Sequence, residues 1–165
     1  ATKIDVKQKG EDFKLNYKFD RQDNLITESM SAMNTGFGIT YVLPILVAVL
    51  SAKRDALILI ENPEAHIHPK GQAVLMKLIA KAVHAGIQVV IETHSDHIVN
   101  GSLVAVNQCL INKKELSLYF FDRDEHKHVA KAHQLHVEED GHIHPAPPMN
   151  FFDQIEIDLR TLAGF

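Results

Sequence analysis

Residues 56–97 read ALILIENPEAHIHPKGQAVLMKLIAKAVHAGIQVVIETHSDH, and their changing periodicity decides the fold. Ala56–Ile60 is a continuous apolar run of strand length, the pattern of a parallel strand buried on both faces. Gln72–Ala85 then sets Val74, Leu75, Leu78, Ile79, Ala82 and Val83 on one helical stripe, which Gly86 closes. Ile87–Ile91 repeats the buried-strand pattern. Strand, helix and strand in this order make one βαβ unit, whose crossover is expected to be right-handed.

Outward from that unit the patterns are looser. Residues 39–52 are apolar almost all round and predict a helix buried on most faces, with Pro44 tolerable only near its first turns. This stretch is too short and too interrupted to span a membrane, which takes roughly twenty apolar residues. Lys3–Lys9 and Phe13–Phe19 alternate about a Gly10-Glu11-Asp12 turn and predict a polar hairpin. On the other side, Ser95 is placed to N-cap a helix from Asp96 to Val106. Leu116–Phe121, Val129–Val137 and Ile143 predict strands, and Phe152–Leu162 has helical spacing. The expected class is α/β, a mostly parallel sheet core with a small β-containing C-terminal appendage.

Length and composition suit one compact unit: 165 residues, 45% hydrophobic and 23% charged. A net charge of −4 argues against a broad basic face for non-specific nucleic-acid binding. The basic patches Lys113-Lys114 and Lys127–Lys131 both lie beside carboxylates and read as solvated surface. Cys109 is the single cysteine, so an internal disulfide and a Cys-based zinc site are both excluded, and it reads as a buried small hydrophobe. With no apolar signal core at the start, the expected location is the cytoplasm. Eleven histidines against no tryptophan raise the question of metal.

Ligands in open parallel sheets gather beyond the carboxyl ends of the strands, and both buried strands here run straight into polar clusters. The first continues as Glu61-Asn62-Pro63-Glu64-Ala65-His66-Ile67-His68, the second as Glu92-Thr93-His94-Ser95-Asp96-His97. Glu92, His94, Asp96 and His97 differ from the His-x-His-x-Asp-His signature of metallo-β-lactamase-like hydrolases only at the first position, and His66-x-His68 resembles the metal pair of amidohydrolases. A metal-dependent hydrolase is therefore one reading. A non-catalytic interaction module built on the same βαβ scaffold is another.

A third reading accounts for more of the chain. LILIENPEAHIHP (57–69) resembles the Walker B strand and following loop of the SMC/RecF-like and OLD-like branch of ABC ATPases. VVIETHSDH (89–97) resembles that branch's strand and switch histidine, and NTGFG (34–38) its signature motif. The order of the three is the family's order. Asn150–Gln154 (NFFDQ) resembles the close of a small C-terminal domain often fused to such ATPases. The resemblance implies a partial ABC-type, P-loop NTPase-like architecture, with residues 1–112 the C-terminal segment of the ATPase domain and 113–165 an appendage within the same compact unit.

It also implies roles. Glu61 would hold Mg²⁺ at the Walker B position, where Asp is commoner. Asn62 stands where the family carries the glutamate that polarises the attacking water; an amide orients water but cannot take its proton. Either Glu64 would substitute as base or hydrolysis would be slow or absent, and His94 would hydrogen-bond the γ-phosphate. Asn34, Gly36, Gly38 and Thr40, at a helix start, would offer backbone N–H groups and the positive end of a dipole to phosphate oxygens. In the family this signature acts in trans on ATP held by the opposite subunit. The expected cofactors are ATP and Mg²⁺. The expected partners are a second copy across the ATP or a Walker A-bearing N-terminal segment, and nucleic acid for the complete protein. No lysine here is followed by Ser or Thr, so the Walker A pattern Gly-x-x-x-x-Gly-Lys-Ser/Thr is absent. The chain is thus expected to be the C-terminal half of such an ATPase and not to bind ATP normally alone.

Overall fold

The computed structural model describes residues 2–19, 26–31, 36–124 and 128–164. Strand β1 (Thr2–Lys9) folds back on β2 (Asp12–Phe19) through Gly10-Glu11, and a short β3 (Met30–Ser31) adds to β2. Helix α1 (Phe37–Ser51), strand β4 (Leu57–Glu61), helix α2 (Pro69–His84), strand β5 (Gln88–Glu92) and helix α3 (Asp96–Asn107) follow. A 3-10 turn (Lys113–Glu115) leads to the antiparallel pair β6 (Leu118–Asp124) and β7 (Val129–Leu135), and α4 (Gln154–Ala163) ends the chain. An isolated bridge joins Val137 to Ile143. Among the described residues no helix is long and apolar enough to cross a membrane.

The α/β unit forms where the periodicity places it, except that Val74 of the expected buried stripe is 60% exposed. β4 and β5 pair in parallel with Leu57 opposite Gln88 and Glu61 opposite Glu92, and α2 makes the crossover. Ile60, Leu75, Met76, Ile79, Ala82, Ile87 and Ile98 form the core, joined by Val49 of α1. Gly101 lets α3 lie close on α2: a Cβ there would stand 2.8 Å from that of Met76. Helix α2 begins three residues before the expected Gln72, because Pro69 occupies the first turn and His68 caps it, its Nδ1 accepting from the Lys70 amide at 3.2 Å. Proline's fixed φ and missing N–H suit that position.

Several expectations are corrected. The sheet core is not mostly parallel among the described residues: the parallel sheet has two strands, and the other two sheets are antiparallel. Nor are its strands buried on both faces. Both α1 and α2 pack on the face carrying Ile58, Ile60, Val89 and Ile91, whereas Leu57, Leu59 and Val90 on the other are 57%, 70% and 50% exposed. A single βαβ unit has one crossover helix and covers one face. Helix α1 starts at Phe37, and Val49 is its one fully buried residue; Tyr41, Val47 and Leu50 are exposed. Pro44 lies two turns in and cannot donate to the Thr40 carbonyl. The expected hairpin forms, with Asn16 and Tyr17 of β2 buried. Cys109 is exposed, at a positive φ of 55° just past α3, where a helix end turns out to solvent.

The C-terminal segment is tied to α3 along residues 137–141. Val137 packs beside Ala105, Val106 and Ile111, and Asn107 Nδ2 donates to the Asp140 carbonyl at 2.8 Å. The Lys113 ammonium donates to Glu138 at 2.9 Å; that hydrogen bond holds the Glu138 carboxyl below the usual carboxylate range and raises the lysine. Lys131 pairs likewise with Asp124 at 2.8 Å, so both basic patches meet carboxylates as expected; Lys127 lies outside the described residues.

Candidate functional site

Parallel pairing in register carries both polar clusters to the same sheet edge. Glu61 and Glu92 stand opposite one another at the ends of β4 and β5. By strand alternation they share a face with Leu57, Leu59 and Val90, the uncovered one. Two adjacent carboxylates repel unless a cation lies near them. His94 Nε2 lies 3.1 Å from Glu92 Oε1, and the imidazole is 83% exposed. Asn62 continues the ladder, its amide donating to the Glu92 carbonyl at 3.0 Å. Its φ of 47° is left-handed, a conformation asparagine tolerates better than most residues.

Glu64 does not stand free. Its Oε2 accepts from Thr93 Oγ1 at 2.7 Å and its Oε1 from the His94 amide at 2.9 Å. Thr93 was not legible as a site residue: a lone threonine between a glutamate and a histidine carries no pattern of its own. Ser95 caps α3 as the sequence indicates, Oγ accepting from the His97 amide at 3.2 Å, and also donates to Gln72 at 2.6 Å.

The start of α1 reaches the same loop. The His66 ring lies 5.5 Å from that of Phe37 and 4.7 Å from that of Tyr41. A Cβ on Gly38 would sit 2.6 Å from the His66 carbonyl oxygen. Gly38→Ala is therefore expected to lower stability by about 1–2 kcal/mol in urea unfolding, the overpacking outweighing alanine's better helix propensity. The first turn of α1 holds no acidic residue to oppose the helix dipole. Gly36 and Thr40 are exposed; Asn34 lies outside the described residues.

The four hydrolase candidates separate into two pairs, His94 with Glu92 and His97 with Asp96 at 3.8 Å. Among the described residues no three Asp, Glu, His or Cys side chains converge to hold a metal ion.

Residues 2–99 match the family described as AAA ATPase domain, more than half of the chain. The chain belongs to that family. Residues 111–162 of this ATPase-family chain match a second family, described as Protein of unknown function (DUF3696). No curated protein matches it. A solved structure from work on ATP-driven dimerization and DNA-stimulated activation of SMC ATPases is similar in fold, with a TM-score of 0.61 at 10% identity. The similarity covers 96% of this chain and 81% of that one.

Proposed function

We propose that the chain is the C-terminal segment of an ABC-type ATPase of the SMC/RecF/OLD-like group, contributing signature, Walker B and switch histidine to an ATP site whose Walker A loop comes from elsewhere. The observation that carries this reading is that Glu61, Asn62 and His94 each adjoin Glu92 at one edge of a parallel strand pair, within a chain of the AAA ATPase family. Glu61 would hold Mg²⁺, whose charge would offset that of the phosphates, and Glu92 opposite it would deepen the negative potential that draws the ion. Asn62 orients the attacking water, and His94 meets the γ-phosphate. Gly36, Gly38 and Thr40 present the N-terminal turn of α1, with Asn34 before it, to the phosphates of a nucleotide on a second copy.

The uncovered face of β4 and β5 supports a further segment packing there, the place a Walker A-bearing piece would take. The family matches on either side of residues 100–110 support a division near residue 112. ATP-driven dimerization and DNA stimulation, described for the SMC ATPases of similar fold, fit a homodimer about ATP with nucleic acid as effector. A cytoplasmic location suits such a role.

Two measurements test the reading. Protein purified without chelator is expected to hold no stoichiometric zinc or manganese, and the 165-residue chain alone to bind Mg-ATP far more weakly than when joined to a Walker A-bearing segment. Stoichiometric zinc on Glu92, His94, Asp96 and His97 would return the hydrolase reading.

A further inference from the structure

The carboxylate of Glu64 bridges two loops that lie 30 residues apart in sequence. One oxygen takes the Thr93 hydroxyl and the other the His94 amide, and Thr93 Oγ1 in turn accepts from the Ser95 amide at 3.0 Å. A second link runs alongside: Ser95 Oγ donates to Gln72 Oε1 at 2.6 Å, and Gln72 Nε2 donates to the Ile67 carbonyl at 2.9 Å. Gln72 and Ser95 are buried. The backbone of residues 93–95 is thus held to residues 64–72 at two points, and the exposed imidazole of His94 is the part left to reach outward. Hydrogen bonds to an ionised group are strong and directional enough to fix a loop.

We propose that Glu64 is a positioning residue and that with Thr93 it clamps the His94 backbone so that the imidazole meets the γ-phosphate. The inference rests on the ATPase reading above and adds Thr93 to the residues on which turnover depends. Glu64 holds both the Thr93 hydroxyl and the His94 amide, so adding Thr93→Val to a Glu64 variant should cost nothing further.

The test is a double-mutant cycle in the chain joined to a Walker A-bearing segment. Thr93→Val deletes the hydroxyl at constant shape; Glu64→Gln keeps the shape but replaces one acceptor oxygen by an NH₂ group. Each is expected to lower kcat roughly ten- to hundredfold with little change in KM, as a misplaced catalytic group does. The double variant should be no slower than the slower single. Hydrogen exchange at the His94 amide should speed up in all three. Thr93→Ser, which keeps the hydroxyl, should restore kcat and His94 amide protection, separating the clamp from a general loss of fold. A wild-type kcat in Thr93→Val, or multiplying effects in the double variant, overturns the clamp and leaves the ATPase reading standing. If the unmutated joined chain fails to hydrolyse ATP while its His94 amide is protected, the ATPase reading falls and the proposed role falls with it.

Discussion

On the proposed function, replacing His94 with alanine in the chain joined to a Walker A-bearing segment is expected to lower kcat by about two to three orders of magnitude, the usual loss when one donor to developing charge is removed. Stability should change by less than about 0.5 kcal/mol, as for other exposed substitutions. The two readouts separate because the imidazole is 83% exposed and its described polar neighbour is Glu92, itself 52% exposed. An exposed pair of this kind contributes little to folding. Steady-state turnover and urea unfolding of the same preparation check both halves, and an unchanged kcat would remove His94 from the mechanism.

Asn62→Glu is expected to move turnover the other way, by up to about a hundredfold, the lower range of what a general base supplies. The amide orients water without accepting its proton, and a carboxylate at the same backbone position does both. The geometry adds a cost on the folding side. At a φ of 47° asparagine is favoured over glutamate, so the variant should be about 1 kcal/mol less stable while hydrolysing faster. Single-turnover kinetics with Mg-ATP separate the chemical step from nucleotide exchange. A slower variant would mean that Asn62 has a function of its own, beyond standing in for an absent base.

Asn62 and His94 follow their apolar strands by two and three residues, and parallel pairing in register brings both loops to one sheet edge. Glu64 was readable as a carboxylate, but its partners were not. The bond to Thr93 depends on how the loops after β4 and β5 fold over the sheet edge, and nothing local in either loop encodes the other. Pro69 carried a usable signal for the start of α2, because proline is favoured in a helix's first turn. Cys109 misled for the opposite reason: cysteine is usually buried, but its place just past a helix end, at positive φ, outweighs that tendency.

By itself the sequence determined the βαβ unit, the cap at Ser95, the two polar clusters and the missing Lys-Ser/Thr pair. Each is encoded locally, in hydrophobic period or in residues a few positions apart. The tertiary structure alone decided which sheet face is covered, which way α1 turns its apolar sides, and that Glu64 grips Thr93 and the His94 amide. A run such as LILI shows that a strand can be buried on both faces. Whether it is depends on how many layers pack against it, and here the described helices supply one.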